Sequence, residues 1–269
     1  MFNFFFATSD KGFSGLCKIS ISLCHNCVNT FELLLHAAQL HFSAQFFTSF
    51  FQRNFILQRL FNAGIKTFFK MTEDAFKVIH VAVFASGTGS NTKRIIEYFR
   101  NHVHIKISLI VCNNPGAGVL KIAEDENIPY LIISKEKFFH GNAYTGELRE
   151  RKIDFIVLAG FLWKIPSLLI KSYPDKIINI HPALLPKYGG KGMYGHFVHE
   201  AVIAAGEKES GISIHYVDDL YDHGKIIFQT KCAVEENDTP DTLAHKIHLL
   251  EHAHFAKVIE HAAQNIVKN

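Results

Sequence analysis

Short apolar runs alternate with amphipathic stretches of helical length from Val78 onward. The runs are rich in β-branched residues and nearly continuous, which is typical of strands buried on both faces of a parallel sheet. They lie at residues 78–84, 105–112, 130–133, 155–158 and 176–180, and helix-length segments begin near residues 92, 118, 143 and 166. Strands separated by helices predict an α/β fold with a doubly wound, mostly parallel sheet.

The pattern changes in the last quarter of the chain. Ile212–Val217 and Ile226–Val234 are two strand-like runs joined by a short loop, which predicts an antiparallel C-terminal edge. A final helix is predicted to begin at Thr239-Pro240-Asp241, where Thr suits the N-cap and Pro the first turn. Its apolar face would carry Leu243, Ile247, Leu250, Val258 and Ile259.

Residues 1–70 form a Phe-rich extension of different composition. They contain 15 of the 25 Phe and three of the five Cys, no Pro, and only Asp10 and Glu32 as acids. A transit segment or a surface-binding helix at residues 50–61 would fit this composition, but we expect an over-extended start, with residues 71–269 as the functional domain. Cys24 and Cys27 have the spacing of two zinc ligands, yet no second pair follows, so no metal site is expected.

Composition and charge exclude several classes of function. The 269 residues carry 28 basic and 25 acidic side chains, a net charge of +3, which predicts no nucleic-acid partner. No apolar run approaches the roughly 20 residues of a membrane span, so no membrane partner is expected. An odd number of Cys without a secretory signal favours a reducing, cytoplasmic location.

Candidate chemistry lies in two short segments. Asn179, His181 and Asp222 supply an amide, an imidazole and a carboxylate, which together can stabilise an oxyanion and move protons near neutral pH. Each residue alone has a simpler explanation. Asn179 could be a turn residue at the end of a strand, and Asp222 could form an Asx-turn before a glycine. His181, as one of 17 His, could be solvated or hydrogen-bonded without a catalytic role. Their combination, with His181 after a predicted parallel strand and between prolines, favours a catalytic set.

The turn between the first strand and first helix is a candidate phosphate site. In Ala85–Asn91, backbone N–H groups at a helix N-terminus could bind phosphate, with side-chain donors from Ser90 and Asn91. Close packing is the alternative role for its glycines. Position 92 lacks the third glycine of a dinucleotide motif and Asn113 stands where a ribose-binding acid is expected, so the turn predicts a phosphorylated substrate instead.

Two adjoining runs carry a family resemblance. Ile178-Asn179-Ile180-His181-Pro182 and Leu184-Leu185-Pro186-Lys187-Tyr188 resemble the signature of folate-dependent formyltransferases, and the chain from about Val78 is similar to members acting on phosphoribosylglycinamide. The resemblance implies a Rossmann-like formyltransferase fold. It also implies transfer of a formyl group from 10-formyltetrahydrofolate to the amine of 5-phosphoribosylglycinamide in de novo purine (IMP) biosynthesis. The folate would be a co-substrate, with no bound cofactor or metal and small molecules as partners, in a monomer or homodimer.

The same resemblance assigns roles to the candidate residues. Asn179 would bind the formyl oxygen and folate, His181 would donate a proton, and Asp222 would raise the pKa of His181. Gly89, Ser90 and Asn91 would hold the substrate phosphate. The folate site would be lined by Leu162, Trp163, Lys164 and Ile165, for which a core-packing turn is the alternative. Glu251 would contact the glycinamide end, unless it is a solvent-facing helix carboxylate.

The chain departs from the family pattern at two places. Trp163 stands where members often have arginine, and an arginine used by some members before position 144 has no counterpart. Lys187 and Lys191, in a predicted mobile loop beside the site, are further candidates for phosphate contact outside the main set.

Three functions other than formyl transfer to phosphoribosylglycinamide are also compatible with parts of the sequence. Formyltetrahydrofolate deformylase should carry a regulatory domain ahead of the sheet, whose strand and helix pattern residues 1–70 lack. Methionyl-tRNA formyltransferase should continue into a basic C-terminal domain, whereas this chain ends at Asn269. A folate- or nucleotide-binding module without catalysis is disfavoured by the presence of Asn179, His181 and Asp222 together.

Overall fold

The computed structural model describes the backbone of residues 2–6, 17–21 and 78–268, with side chains over residues 78–266. The Cys24 and Cys27 pair, the segment at residues 50–61 and the expected start at Met71 all lie outside the described residues. The chain divides into one unit at Met1–Thr72 and another at Glu73–Asn269.

In the first unit two strands are described. β1 (Phe2–Phe6) pairs with β2 (Cys17–Ile21) in an antiparallel register that brings Phe4 opposite Ile19.

The second unit contains the alternating strands and helices. Its strands are β3 (Ile79–Ala85), β4 (Ile105–Cys112), β5 (Tyr130–Ile132), β6 (Phe155–Leu158), β7 (Ile177–His181), β8 (Glu209–Tyr216) and β9 (Ile226–Ala233). Its helices are α1 (Ser90–Phe99), α2 (Gly118–Asp125), α3 (Lys135–His140), α4 (Thr145–Glu150), α5 (Ser167–Ser172), α6 (His196–Ala204) and α7 (Pro240–Lys268).

These seven strands form one mixed sheet. Their order is β5-β4-β3-β6-β7-β8-β9. The first five strands in this order are parallel to one another. β8 pairs antiparallel with β7, and β9 pairs antiparallel with β8. The prediction of a doubly wound, mostly parallel α/β sheet with an antiparallel C-terminal edge is confirmed. Within the part of the chain that is described, no helix has both the length and the apolar character of a membrane span.

Helices cover both faces of the sheet, and successive strand residues feed the two cores alternately. On β3, Val81 and Val83 enter the core shared with α1, α2 and α7, whereas Ala82 and Phe84 enter the core shared with α3, α4 and α5. On α7, Leu243, Ile247 and Ile259 are fully buried, while Leu250 and Val258 are partly buried at the margin of the predicted face.

Three helical segments differ from the sequence prediction. α1 begins at Ser90 rather than near residue 92, because Gly89, with φ 81°, turns the chain directly into the helix. A helix was expected to begin near Ala143, and α4 begins at Thr145 after the left-handed residues Ala143 and Tyr144, whereas α3, which ends at His140, was not predicted. α6 was not predicted, because its apolar and polar residues are not separated onto two clear faces.

The strand order explains where a ligand can bind. From β3 the chain moves outward through β4 to β5, and then returns to β6 on the other side of β3. The connections that leave the carboxyl ends of β3 and β6 therefore diverge, which opens a crevice between them. Residues 86–89 and 159–166 are these connections.

Candidate active site

A cleft of about 690 Å³ opens at this divergence. It is lined by every residue of the predicted set: Gly89, Ser90, Asn91, Leu162, Trp163, Lys164, Ile165, Asn179, His181, Asp222 and Glu251. Lys191 also lines the cleft, whereas the Lys187 amine pairs with Glu207 at 2.8 Å outside it. One concave site thus brings together side chains that are up to 162 positions apart in sequence, from Gly89 to Glu251.

The three predicted catalytic side chains meet at the end of β7. Asn179 and His181 are two residues apart on the strand and so point to the same face. The Nδ1 atom of His181 lies 3.7 Å from Asp222 Oδ2, and Asn179 Nδ2 lies 3.4 Å from Asp222 Oδ1. The carboxylate of Asp222 therefore bridges the imidazole and the amide, and it also accepts a bond from the Gly190 N–H at 2.9 Å.

A second buried histidine, His215, completes this group and was missed by the sequence reasoning. Its Nε2 atom lies 3.2 Å from Asn179 Nδ2 and 3.6 Å from Asp222 Oδ1, and its Nδ1 atom lies 2.8 Å from the Tyr216 carbonyl. Because a carbonyl only accepts, Nδ1 carries a proton and donates to Tyr216, while Nε2 faces both the Asn179 amide and the Asp222 carboxylate. The signal was a histidine within an apolar strand, which the antiparallel register places opposite Asn179.

The net pKa shift of His181 is opposite to the expected one. His181 is only 3% exposed, and this burial lowers the pKa of its imidazole because it disfavours the charged form. The charge of Asp222 and the bond to the Tyr188 carbonyl at 2.7 Å both raise the pKa, but burial outweighs them. The prediction that Asp222 raises the pKa was right about that single contribution and wrong about the sum.

Asp222 stays ionised despite its partial burial. Burial alone would raise the pKa of its carboxyl group, but the bond to His215, the charge of His181 and the Gly190 N–H together lower it. Its carboxylate faces the two histidines and the turn at Gly190, which gives it more than a loop-capping role.

The segment after His181 is fixed by two polar side chains on β8 and β9. The fully buried Ser213 hydroxyl donates to the Ala183 carbonyl at 2.6 Å and accepts from the Leu185 N–H at 2.9 Å. Gln229 donates to the same hydroxyl at 2.7 Å and to the Leu185 carbonyl at 3.0 Å. These bonds hold the proline-bounded turn against the antiparallel edge.

The predicted phosphate turn lies at the opposite side of the cleft. Gly89 precedes α1 without a capping side chain, and the first turn of α1 contains no acid of its own. A side chain at Gly89 would come within 2.9 Å of Val119 and Ile122. The amide nitrogen of Asn91 differs from the expectation, because it donates to Glu251 at 2.9 Å rather than into the cleft.

The predicted folate segment is held by the turn that follows β3. The Ser86 N–H donates to the Gly160 carbonyl at 3.1 Å, and the Ser86 hydroxyl accepts from the Leu162 N–H at 3.0 Å. Leu162 is 53% exposed at the cleft, while Trp163 packs on Phe138 and Phe139 of α3 at ring distances of 5.8 and 5.6 Å. The segment therefore has both of the roles considered for it: an apolar cleft wall and a packed turn.

Glu251 is buried, not solvent-facing. Its carboxylate is 5% exposed and accepts from Asn91 and from His248 Nδ1, each at 2.9 Å. His199 of α6 also lines this part of the cleft, and burial, reinforced by the charge of His248, lowers its pKa to about 4. Asn91 Oδ1 and His199 Nδ1 are buried without a hydrogen-bond partner, so the site offers polar atoms that face no protein group.

No group of three or more His, Cys, Asp or Glu side chains within the described residues is arranged to hold a metal ion. The groups that line the cleft can transfer protons and form hydrogen bonds, and they include a helix N-terminus.

Comparison with known proteins gives a consistent result. The chain is 38% identical over 194 residues to the chloroplastic phosphoribosylglycinamide formyltransferase of Arabidopsis thaliana, and 36% identical over 184 residues to the phosphoribosylglycinamide formyltransferase of Bacillus subtilis. These alignments cover 70% and 66% of this chain. The chain spans 66% of the Arabidopsis relative, 59% of a Vigna unguiculata relative and 92% of the Bacillus one.

Solved structures agree. The phosphoribosylglycinamide formyltransferase of Anaplasma phagocytophilum matches with a TM-score of 0.64 at 34% identity, covering 70% of this chain and 88% of that one. Glycinamide ribonucleotide transformylase 1 of Geobacillus kaustophilus matches with a TM-score of 0.61 at 34% identity, covering 68% and 97%. The family described as Formyl transferase matches residues 79–259, and because this match takes in both the sheet and the cleft, the chain belongs to the formyl transferase family.

Proposed function

We propose that this protein transfers a formyl group from 10-formyltetrahydrofolate to the amine of 5-phosphoribosylglycinamide, a step of de novo purine (IMP) biosynthesis. The observation that carries the proposal is the layout of the cleft. An amide, imidazole and carboxylate lie on one side, at β7, and an uncapped helix N-terminus on the other, at Gly89. Family membership and the names of the relatives from Bacillus and Arabidopsis support the same reaction.

The reaction is an acyl transfer through a tetrahedral intermediate. The substrate amine attacks the formyl carbon and forms the new C–N bond, while the formyl oxygen takes the electron pair as an oxyanion. The attacking nitrogen then loses a proton, the folate nitrogen gains one, and the bond between that nitrogen and the formyl carbon breaks. Donors aimed at the oxyanion lower the barrier most, because they act where charge develops.

Asn179 and His181 are the donors in this proposal. The Nε2 atom of His215 and the carboxylate of Asp222 orient the Asn179 amide, and its longer 3.4 Å contact with Asp222 leaves an N–H that can turn toward the oxyanion. His181 is largely neutral before reaction because of its burial. Negative charge on the formyl oxygen, added to that of Asp222, favours the protonated ring as the reaction proceeds, so His181 can take and return the travelling proton.

The substrate is held at its other end by α1 and α7. Gly89, Ser90 and Asn91 present the first amides of α1 to the phosphate. Glu251 contacts the glycinamide end, and the unpartnered Asn91 Oδ1 and His199 Nδ1 can bind polar groups of the ligand between phosphate and amine. Leu162, Trp163, Lys164 and Ile165 form the wall for the pterin, with Asn179 contacting both reactants.

The test is an absorbance assay for loss of 10-formyltetrahydrofolate by the full-length protein, with and without 5-phosphoribosylglycinamide. We expect turnover only when the ribonucleotide is present, abolished in His181→Ala and retained in His223→Ala, an exposed histidine outside the cleft. Turnover without the ribonucleotide would assign the protein as a deformylase. Folate binding without turnover would leave a binding module.

We further infer a reducing, cytoplasmic location and a monomeric or homodimeric state. The two cysteines whose side chains are described, Cys112 and Cys232, are both free thiols, which supports a reducing compartment. Relatives named as chloroplastic make an organelle the alternative. Mass spectrometry of the natural N-terminus distinguishes a start at Met71 from a longer or processed chain, and sedimentation measures the oligomeric state.

A further inference from the structure

The turn Tyr188–Gly190 contacts both members of the catalytic pair through its backbone. The Tyr188 carbonyl accepts from His181 Nε2 at 2.7 Å, and the Gly190 N–H donates to Asp222 Oδ2 at 2.9 Å. The position of this turn therefore decides how the imidazole and the carboxylate are oriented toward each other.

The turn is strained and tightly packed. Tyr188 has φ 56°, a left-handed conformation that is unfavourable for a non-glycine residue and persists only when its surroundings fix it. A side chain at Gly189 would lie 2.5 Å from Leu185 Cδ2 and 3.3 Å from Asp222 Cβ, so the turn has no free space on that side. The bond from the Gly190 N–H to Asp222 fixes the C-terminal end of the turn, and the N-terminal end at Tyr188 needs a separate contact to hold it.

Glu207 supplies that anchor from outside the cleft. The Tyr188 hydroxyl donates to Glu207 Oε1 at 2.9 Å, and the Lys187 amine donates to the same oxygen at 2.8 Å. Glu207 directly follows Gly206, whose φ of 65° reverses the chain after α6. One carboxylate oxygen thus holds two successive residues at the start of the turn, and the second of them carries the carbonyl that orients His181.

We propose that Glu207 is a positioning residue for His181 and acts through Tyr188. When the hydroxyl loses its acceptor, the strained turn relaxes and the Tyr188 carbonyl withdraws from Nε2. The ring then keeps only its contact with Asp222 and loses its fixed direction. The kinetic consequence rests on the proposed function, but the effect on the imidazole does not.

Loss of the contact with the Tyr188 carbonyl should shift the pKa of His181 in a definite direction. The Tyr188 carbonyl raises the pKa of His181, together with the charges of Asp222 and Glu251, while burial and His215 lower it. Withdrawal of the carbonyl therefore lowers the pKa further. If protonated His181 is the active form, kcat falls and its alkaline limb moves to lower pH, while the Michaelis constants of both substrates stay nearly constant.

The test compares Glu207→Ala, Glu207→Gln and Tyr188→Phe in the full-length protein by kinetics and by NMR titration of the His181 ring. His181→Asn identifies the resonances. We expect kcat to fall roughly three- to tenfold in Glu207→Ala and Tyr188→Phe, as for loss of one hydrogen bond, with a lower His181 pKa. Glu207→Gln keeps an acceptor oxygen and should lie nearer to wild type. Glu209→Gln is the matched control, because Glu209 pairs with Lys231 instead.

Folded Glu207→Ala and Tyr188→Phe proteins that titrate and turn over like the wild type would overturn the proposal. An equal effect in Glu209→Gln would also overturn it, since that result indicates a general loss of local stability. If Glu207→Ala fails to fold, Tyr188→Phe decides alone, because it removes only the hydroxyl. A wild-type protein without formyl transfer would refute the proposed function and leave the NMR comparison valid.

Discussion

The imidazole of His181 lies between two acceptors, the Tyr188 carbonyl and the Asp222 carboxylate, in a site where burial outweighs both. A side chain in this balance is neutral in the empty cleft and responds to any negative charge that forms beside it. In the proposed reaction, His181 contributes through that response more than through a permanent positive charge.

Removal of the Asp222 charge should therefore alter the pH dependence as well as the rate. In Asp222→Asn we expect kcat to fall about 10²- to 10³-fold, with an alkaline limb at lower pH, because the charge that raises the pKa of His181 is lost. The check is a pH profile of kcat and of both Michaelis constants. Asp219→Asn in the same loop is the control, since Asp219 bonds Ser167 outside the cleft, and similar profiles for the two variants would contradict the role given to Asp222.

His199 should make the protein sensitive to acid. Its folded pKa of about 4 lies below the ordinary value of 6.5, so protonation favours the unfolded chain. Its contribution to stability is complete above pH 6.5 and is lost as pH falls toward 4. In His199→Gln the free energy of unfolding, measured by urea titration, should fall less between these pH values than in the wild type. Exposed His261 provides the control His261→Gln, and parallel pH curves for wild type and His199→Gln would refute the prediction.

At the scale of elements, the loops that follow the strands line the cleft, and the strands fix the positions of these loops. The turn before α1 depends on Gly89, whose φ of 81° and close contact with Val119 and Ile122 admit no side chain. The turn after β7 depends on Ser213 and Gln229 across the antiparallel edge. The parallel strands thus determine where the loops lie, and the antiparallel strands β8 and β9 hold the turn that follows β7.

Gly89→Ala should weaken binding of the phosphorylated substrate. The substitution forces strain of about 1–3 kcal/mol and displaces the first amides of α1. We expect the Michaelis constant for 5-phosphoribosylglycinamide to rise about tenfold or more, with that for the folate nearly unchanged. Gly116→Ala is the control, since a side chain there meets only Asn114 Oδ1 at 3.7 Å and no left-handed conformation is involved. A selective loss of folate affinity in Gly89→Ala would contradict the assignment of the turn.

The sequence predicted long elements better than short ones. The β-branched runs identified β3, β4 and β6, because complete burial of a strand leaves a continuous apolar segment. α3 and α6, of six and nine residues, were missed because neither displays a clear helical period. His215 was missed because only the register of β8 on β7 brings it to Asn179. The pKa of His181 depends on burial, a property of the folded chain that local sequence does not contain.

At the scale of the whole molecule, the sheet, both cores and the cleft belong to the unit Glu73–Asn269. The family match, over residues 79–259, falls inside it. Every residue to which the proposed chemistry gives a role lies in the unit Glu73–Asn269.

A chain of residues 71–269 should fold and act alone. We expect a single cooperative thermal transition and the same kcat and Michaelis constants as the full-length protein, because every residue assigned a role lies in this unit. Calorimetry and the formyl-transfer assay on both chains provide the check. Loss of turnover in the shorter chain, with its transition intact, would give residues 1–70 a function.

The position of Trp163 gives the molecule a built-in optical probe. It is the chain's only tryptophan, and it stands in the wall assigned to the pterin, packed against two phenylalanine rings of α3. All indole emission therefore originates at one wall of the cleft. We expect a folate analogue to quench this emission with a saturable dependence on its concentration, and Trp163→Phe to abolish the signal. The occupancy of a single subsite can then be followed in real time in the unlabelled protein, separately from the chemical step.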